Sequence, residues 1–460
     1  MSAVRIVMVL WGIMYLALGP LRSPGDGDLY WQRWLGDLVL QTRHLPLALG
    51  NETFTSAGAA WVPQEWFFSI LVAIAMNHDA LVIFAAIVSS VPVAILASVY
   101  LRSREASTPE AIAIALLLCG AALLESFGVR AQGLGWGCLA AFICALERRD
   151  RWCYAAFPIA VIWANLHASV MIAPAIVAAR IVASLADGGI RALRANRDVY
   201  LLIPILLATF CTPLGAWLPL YALTLIGSPI RRFIVEWQPS GLHDGSFIIG
   251  ALPLAALILA GGLANLRQNK LQAFPAALLF VAMLFASRNI PLFAIVAAPL
   301  AAKGLDIRFP RMSAVAARIR ALEPAAIASI GAAVTLSALL LAWEQRHEPP
   351  RLPTAAMASL AADRANRRVF CENFTWCSLA LQYRNLRVFM DGRCDPYPLH
   401  IWKSYISAIT LRKPWTWQLR RYRVDAVLAQ RGSPFARAMA KDRSWRTSFK
   451  DPGYVVFRRD

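Results

Sequence analysis

Long apolar segments recur along the first 343 residues of this chain. Hydrophobic residues occupy 58% and charged residues only 16% of the 460 positions, a balance unusual for a water-soluble protein. Segments long enough, or nearly long enough, to cross a bilayer as helices occupy residues 4–21, 80–101, 111–127, 131–146, 153–166, 168–186, 199–214, 246–265, 272–287, 289–302 and 323–343. The pattern predicts an α-helical polytopic membrane protein with about 11–13 transmembrane helices.

Basic residues are concentrated in four short loops between the apolar segments. These loops contain Arg148, Arg149 and Arg151; Arg191, Arg194 and Arg197; Arg267 and Lys270; and Lys303, Arg308, Arg311, Arg318 and Arg320. The positive-inside rule assigns all four loops to the cytoplasm. A membrane therefore accounts for the net charge of +19, and no nucleic-acid partner is expected.

The turns between these basic loops are assigned to the outer face, because an even number of crossings separates successive basic loops. They contain Trp163 to His167, Glu236 to Pro239 and Arg288 to Pro291. The first segment is interpreted as a retained helix, since Gly19, Pro20 and Leu21 make a poor signal-peptide cleavage site. The side on which the Arg102 loop lies stays open, because segment 64–78 is short for a span.

The composition changes after Trp343, where a basic, mixed sequence begins. Strand-like runs at Arg368–Cys371, Leu386–Met390, Val424–Ala429 and Tyr454–Arg458 alternate with helix-like runs at 374–384, 398–410, 414–423 and 433–441. We therefore predict a membrane domain over 1–343, with a first outer loop at 22–63, and a small periplasmic or extracellular α/β domain over 344–460. An oxidising compartment would permit, without requiring, a Cys371–Cys377 disulfide.

The first outer loop begins with an acidic turn, Asp26-Gly27-Asp28, and further short motifs follow at intervals along the chain. They are Gly25 to Trp31, Gly36, Pro46, Trp61 to Trp66, Arg130-Ala131-Gln132, Trp163 to His167, Glu236 to Pro239, Arg288 to Pro291 and Val388 to Arg393. Together these motifs resemble the integral membrane glycosyltransferases of the GT-C type, in a bacterial subgroup with a C-terminal domain on the outer face. The resemblance covers most of the chain.

The resemblance implies an enzyme of the bacterial inner membrane and cell envelope that uses a polyprenyl-phosphate sugar. It would transfer that sugar to a glycan, lipid or protein acceptor on the outer face. An acidic residue of the first outer loop is catalytic in such enzymes, and the matching positions are Asp28 and Asp26. Some members hold a divalent cation with an Asp-x-Asp pair, which would make Mg²⁺ or Mn²⁺ the cofactor here, whereas others need no metal.

The chemistry of the transfer agrees with this implication. A carboxylate near the acceptor is suited to take its proton, and arginine can bind the departing phosphate through two parallel hydrogen bonds. Arg288 beside Asn289, and Arg130, are the arginines at outer helix ends. A charge within an apolar run costs roughly 2.5–3.5 kcal/mol to insert, so these residues need a partner or a function. His167, Glu65 and Glu236 are further substrate-binding candidates.

Each of these residues also has a structural interpretation. The aspartates would cap the helix beginning near Leu29, and Arg288 or Arg130 would extend to lipid head groups. His167, which would share a helix face with Trp163, would make a structural hydrogen bond. Glu65 and Glu236 each precede a tryptophan that would anchor at the interface. The Asp391-Gly392-Arg393 motif would form a tight turn with a local salt bridge, with acceptor binding as its functional alternative.

Two other protein classes compete with the glycosyltransferase. A transporter should show duplicated halves, and the sequence shows no convincing internal repeat. A non-catalytic scaffold of a surface-polysaccharide system stays open, because a transferase fold can persist after its chemistry is lost.

Overall fold

A computed structural model describes the chain over residues 3–22, 25–125, 127–148, 150–310, 352–362, 365–412 and 414–459. The helix predicted at 323–343 lies outside the described residues. The chain divides into two compact units, each described by itself. Unit 1 comprises Met1–Leu21, Val82–Gly227 and Ile234–Trp343, and unit 2 comprises Arg22–Leu81, Ser228–Phe233 and Glu344–Asp460.

The described residues are mostly α-helical. Along the chain the α-helices are α1 (Ala3–Arg22), α2 (Asp28–Thr42), α3 (Trp66–Asn77), α4 (Leu81–Ser103), α5 (Pro109–Ala122), α6 (Ala131–Glu147), α7 (Ala156–Leu166), α8 (Ile172–Ala195), α9 (Asp198–Ala208), α10 (Trp217–Ile226), α11 (Leu252–Ala260), α12 (Gly262–Gln268), α13 (Lys270–Phe285), α14 (Ile290–Arg308), α15 (Thr354–Ala361), α16 (Leu399–Ile409), α17 (Trp415–Arg421) and α18 (Pro434–Lys441). Helices α2, α3 and α15 to α18 belong to unit 2, and the others to unit 1.

The long apolar helices confirm the prediction of an α-helical membrane protein. Leu81–Ser103, Ala168–Arg194 and Ser287–Arg308 are each long and apolar enough to span a bilayer. The bent pair Phe247–Ala260 and Gly262–Gln268 is a fourth span if both helices are counted together. Seven further apolar helices of 10–17 residues occur in the described residues. The number of crossings, about 11–13 from the sequence, stays a prediction.

Three α-helices of the described residues lie outside the segments predicted from the sequence. Helix α10 has only 10 residues, α15 has eight, and α2 is a polar-faced helix inside the predicted first outer loop. None of the three carries an apolar run of spanning length, which is the pattern that predicts the membrane helices.

One end of unit 1 contains an ion pair between Arg102 on α4, whose side chain is 4% exposed, and Glu147 on α6, whose side chain is 22% exposed. Two guanidinium nitrogens donate to the two carboxylate oxygens at 2.9 Å, and a third donates to the carbonyl of Ile295 on α14. Gln272 of α13 donates to Glu147 at 3.2 Å and accepts from Lys303 at 3.1 Å. Four helices are thus joined by one polar network.

The described residues of the four predicted basic loops meet at this same end, which we call the basic end of unit 1; Arg149, Arg311, Arg318 and Arg320 lie outside the described residues. Arg197 donates to the carbonyl of Arg148 at 2.8 Å, which joins the first two loops. Lys270 lies 2.7 Å from the carboxylate of Asp187 near the second loop. Lys303 donates to the side chain of Asn269 at 2.7 Å, so the third and fourth loops also touch. Because Arg102 is part of the Glu147 network, its loop belongs to the basic end.

The C-terminal part of unit 2 confirms the predicted small α/β domain and contains a five-stranded mixed sheet. The strands are β1 (Arg367–Cys371), β2 (Leu386–Val388), β3 (Ala426–Gln430), β4 (Trp445–Lys450) and β5 (Tyr454–Arg459). Their order is β2-β1-β3-β5-β4, with β1 parallel to β2 and β3, and β5 antiparallel to β3 and β4. Four strands were predicted. The fifth, β4, is an exposed edge strand and lacks the apolar alternation that identified the others.

A short stretch of the first loop extends this sheet on its β2 side. The amide of Val388 donates to the carbonyl of Glu52 at 2.8 Å, and the amide of Phe54 donates to the carbonyl of Val388 at 3.2 Å. The structure also contains a disulfide between Cys371, at the end of β1, and Cys377. Loop and sheet therefore share a hydrogen-bonded edge within unit 2.

Helices α2 and α3 pack closely in unit 2 because Gly36 leaves their backbones in contact. A Cβ atom at position 36 would lie 2.1 Å from the carbonyl oxygen of Ser69 and 2.7 Å from Cβ of Ala73. No real side chain tolerates such a distance, so the two helices would have to separate.

We predict that Gly36→Ala destabilises the protein by about 1–3 kcal/mol, the usual cost of overpacking a well-packed contact. The measurement is the thermal unfolding midpoint in detergent. Gly12→Ala on α1 is the control, because nothing lies within 4 Å of its Cβ position. An unchanged midpoint for Gly36→Ala would contradict the observed α2–α3 contact.

Candidate functional site

The acidic turn lies at the N-terminus of α2, with Asp28 as the first helical residue. The Asp26 carboxylate accepts a hydrogen bond from the Asp28 amide at 3.0 Å, and Trp31 Nε1 donates to Asp28 Oδ1 at 3.3 Å. Gly27 occupies the cap position without a side-chain cap. Asp28 thus stands in the first helical turn, where a negative charge is favoured by the helix dipole. Both aspartates were predicted to cap the helix, but only the Asp26 carboxylate accepts from a backbone amide at the helix start, whereas Asp28 is the first helical residue; both residues are partly exposed.

A second carboxylate lies along the same face of α2. Gln32, one helical turn beyond Asp28, donates to Glu65 Oε2 at 2.8 Å, and Gln64 donates to Glu65 Oε1 at 2.9 Å. Glu65 is the residue that precedes α3. Unit 2 therefore places Glu65 beside the helix that Asp28 begins, and two neutral amides bind its charge.

The Asp391-Gly392-Arg393 turn contains the local salt bridge that the sequence predicted. Arg393 Nη2 lies 2.7 Å from Asp391 Oδ2, and Arg393 Nη1 lies 2.9 Å from Glu52 Oε1. The guanidinium packs against the rings of Trp34 and Trp61, with Cζ 5.1 and 5.0 Å from their centroids, and the two rings stack on each other with centroids 6.4 Å apart. Burial opposes this charge, yet Asp391 raises the pKa of Arg393 well above its ordinary value. Arg393 is therefore a permanent cation inside unit 2.

In unit 1 the predicted outer turns meet at the end of the helices opposite the basic end, around His167 and Arg288. We call this the polar end. Arg288 Nη2 lies 3.4 Å from His167 Nε2, and its guanidinium covers the ring of Trp237 at 5.5 Å. Burial, assisted by the Arg288 charge, lowers the pKa of His167 to about 3. His167 is therefore neutral at physiological pH.

Hydrogen bonds around His167 identify its tautomer. The Ser169 amide donates to His167 Nδ1 at 3.0 Å. Ser169 Oγ accepts from Trp163 Nε1 at 2.9 Å, so its own proton is available for Nδ1 at 2.8 Å. With Nδ1 as the acceptor, the proton of the neutral ring lies on Nε2. His167 Nε2 and Arg288 are then neighbouring donors rather than donor and acceptor, an arrangement that suits an anion.

Arg130 and Glu236 also meet at the polar end. Arg130 Nη1 lies 3.4 Å from Glu236 Oε2, and Gln132 Nε2 donates to Glu236 Oε1 at 3.3 Å. Asn289, the cap of α14, donates its side-chain amide to the carbonyl of Ala282 at 2.9 Å. Asn289 thus has the structural contact of a helix end, whereas Arg130 and Glu236 are paired by charge.

Sequence reasoning missed Glu125, which belongs to the same end of unit 1. Ser287 Oγ donates to a Glu125 oxygen at 3.0 Å, and the Ser287 amide donates to the carbonyl of Gln238. Burial raises the pKa of Glu125. An acidic residue at the end of an apolar segment was the available signal. Glu52 and Arg393 were also missed as partners, because 341 residues separate them.

The predicted site residues thus fall into two sets. Unit 2 holds Asp26, Asp28 and Glu65, and unit 1 holds Arg130, His167, Glu236, Arg288 and Asn289. Over the ranges that the structure describes, no group of three or more His, Cys, Asp or Glu residues is arranged to hold a metal ion. Asp26 and Asp28 supply carboxylates, which suit Mg²⁺ or Mn²⁺ when phosphate and water complete the coordination. Their metal role stays a prediction.

Comparison with known proteins found similar structures but no similar sequence. No protein-family model matches the chain, and no curated protein sequence matches it. The oligosaccharyltransferase of Archaeoglobus fulgidus, tethered with an acceptor peptide containing the NVT sequon, matches 92% of this chain and 68% of its own, with 14% identity and a TM-score of 0.57.

A second group of similar structures covers nearly the whole of both chains. ArnT from Cupriavidus metallidurans in the apo state matches 99% of this chain and 96% of its own, with 15% identity and a TM-score of 0.54. The same protein bound to undecaprenyl phosphate matches 99% and 97%, with 14% identity and a TM-score of 0.50.

The low pKa of His167 predicts a pH-dependent stability. Below an unfolded-state pKa of about 6.5 the unfolded chain takes up a proton that the folded chain excludes, so stability falls as pH decreases toward 3. At pH 5 the loss is up to about 2 kcal/mol. Thermal midpoints of wild type and His167→Asn should be compared at pH 7.5 and 5.0. We expect a larger decrease for wild type; equal decreases would contradict a neutral, buried His167.

Proposed function

We propose, from the premise that this chain has the fold of the GT-C membrane glycosyltransferases, that it transfers a sugar from a polyprenyl-phosphate donor to an acceptor on the outer face of the membrane. The structural likeness along 99% of the chain to ArnT, a protein seen with undecaprenyl phosphate, carries the proposal. Two features of the chain add support: an acidic turn at the start of α2, and a pair of donors suited to an anion in unit 1.

Asp28 is assigned the role of the base, or of an acid that binds the metal, with Asp26 as its partner. The acceptor's nucleophilic atom attacks the anomeric carbon and its proton passes to the base, while the bond to the lipid phosphate breaks with its electron pair on oxygen. The first helical turn favours a carboxylate that stays charged until the proton arrives. Where Mg²⁺ or Mn²⁺ is bound, the two aspartates would hold it and it would offset the phosphate charge.

Arg288 is assigned the contact with the donor phosphate, together with the Nε2 proton of His167. A guanidinium and a neutral imidazole N–H can donate to two oxygens of one phosphate, and stacking on Trp237 fixes the guanidinium plane. Arg130, Glu236, Glu65 and Asn289 complete the proposed set of substrate contacts. Glu236 orients Arg130 through their ion pair.

The proposed location is the bacterial inner membrane, with the basic end of unit 1 in the cytoplasm and the C-terminal domain outside it. Lys and Arg at the basic end support that orientation. The Cys371–Cys377 disulfide agrees with an oxidising compartment for the C-terminal domain.

The central test is the Asp28→Asn variant in a mass-spectrometric transfer assay with a panel of polyprenyl-phosphate sugars. Losing a general base lowers kcat by about 10²–10⁴-fold, and donor binding should persist. Asp37→Asn is the matched control, because Asp37 lies on the same helix and contacts Arg33 and Asn77. Full activity of Asp28→Asn would remove the assigned role.

The same assay distinguishes metal binding by Asp26 and Asp28 from proton removal by Asp28. If the aspartates hold a cation, chelation should abolish transfer, Mg²⁺ or Mn²⁺ should restore it, and Asp26→Asn should raise the metal concentration required. Transfer that is unaffected by chelation assigns Asp28 to proton removal alone. Wild-type protein that neither binds nor turns over any donor would favour the scaffold alternative.

The topology is tested with single introduced cysteines and a membrane-impermeant maleimide on intact spheroplasts. Thr447→Cys is exposed on β4 and should be labelled, whereas Arg194→Cys near the basic end should be labelled only after lysis. Wild-type protein gives the background from native thiols. The reverse labelling pattern would place the C-terminal domain in the cytoplasm.

A further inference from the structure

We propose that Arg393 is a positioning residue for Asp28, acting through the Asp391-Gly392-Arg393 turn. The inference rests on the proposed function, since it concerns the base of that reaction. It assigns a catalytic purpose to a buried cation that lies far from Asp28 in sequence and inside the same unit.

The Arg393 guanidinium is held by two carboxylates and two neighbouring indole rings. Its side chain is 0% exposed, as is that of Asp391, and Nε and Nη2 both donate to the Asp391 carboxylate. Nη1 donates to Glu52, and the guanidinium packs against the Trp34 and Trp61 rings, which stack on each other. Such a planar, fork-shaped group fixes its partners in orientation as well as in distance, which a lysine ammonium does not.

This arrangement fixes the backbone of the turn. The Arg393 amide donates to Asp391 Oδ1 at 3.1 Å, so the same carboxylate binds both the side chain and the backbone of Arg393. The Gly392 amide donates to Ser378 Oγ at 3.1 Å. Gly392, between these two anchored residues, has little freedom to move.

Gly392 lies directly against the Asp28 carboxylate. A Cβ at position 392 would lie 2.3 Å from Asp28 Oδ1 and 3.0 Å from Cδ1 of Trp31. Because Asp28 Oδ1 also accepts from Trp31 Nε1, the carboxylate is bounded by the indole and by the glycine backbone. The Trp31 ring meets the Trp61 ring edge-on, with centroids 6.3 Å apart, and Trp61 covers Arg393. Two routes therefore connect Arg393 to Asp28.

A purely structural role for Arg393 would explain why its side chain is buried. It would not explain why Gly392, which has no side chain, lies against the Asp28 carboxylate. The turn is tight enough for an alanine to displace the carboxylate, although Gly392 does not have the positive φ that makes glycine necessary. Glycine at position 392 therefore leaves room for the Asp28 carboxylate, which a larger residue would displace. The position of the base would then depend on the C-terminal segment of the chain.

Gly392→Ala and Arg393→Lys test the proposal, with Arg387→Lys on β2 as the control for an exposed arginine of the same segment. We expect both test variants to lower kcat at least tenfold with little change in the donor KM, and to shift the acid limb of the kcat–pH profile. Arg387→Lys should match wild type. Wild-type kcat and pH profile in Gly392→Ala would overturn the proposal.

Hydrogen exchange of the peptide covering residues 25–34 gives a readout that does not need the transfer reaction. The Asp28 amide donates to Asp26, so displacement of Asp28 should speed its exchange in Gly392→Ala. Faster exchange together with an inactive wild type would refute the proposed function but keep the positioning contact. Unchanged exchange would refute the contact itself. If Arg393→Lys fails to fold, Gly392→Ala decides alone.

Discussion

The Arg102–Glu147 ion pair is the interaction on which the arrangement of unit 1 depends. Charges placed among apolar helices cost several kcal/mol unless they are paired, and removing one partner of a buried pair typically costs about 3–5 kcal/mol. This pair and its amide neighbours join α4, α6, α13 and α14, so a shift of any one of these helices would separate charged groups from their partners. The opposite helix ends carry a different chemistry, with Arg288 beside the neutral His167 and with Glu236 paired to Arg130 in short turns.

In unit 2 the charged groups are held differently, because its carboxylates lie beside aromatic rings and glycine backbones. The two longer of its three chain segments are joined by backbone hydrogen bonds at Glu52 and Val388, and by one guanidinium that packs against two indoles. Close approaches at Gly36 and Gly392 leave no room for side chains. An acidic residue held in this way can be oriented for chemistry, whereas the same residue in a solvated loop would sample many rotamers.

Apolar periodicity predicted most helices of unit 1, because burial in lipid demands long uninterrupted runs. Basic and polar loops alternate along the sequence, and successive helices run in opposite directions. This alternation predicted that His167, Glu236 and Arg288 lie at the same end of the helices. Helix α2 was missed because polar residues interrupt its apolar pattern, and strand β4 because it is an exposed edge strand without apolar alternation. The partnership of Glu52 with Arg393 had no local signal, because contacts between distant segments leave no periodicity in either one. The roles of Asp26 and Asp28 still rest on sequence resemblance.

Unit 2 is assembled from segments at opposite ends of the chain, and this has a consequence for biosynthesis. Residues 22–81 emerge early, but their sheet partners follow only after residue 344. At about 5–20 residues per second, the early segment waits roughly 13–50 s with its tryptophans unpaired from the C-terminal strands. During that interval the helices of unit 1 can already insert. The contacts that join residues 22–81 to the C-terminal sheet can therefore form only after most of the chain has been made.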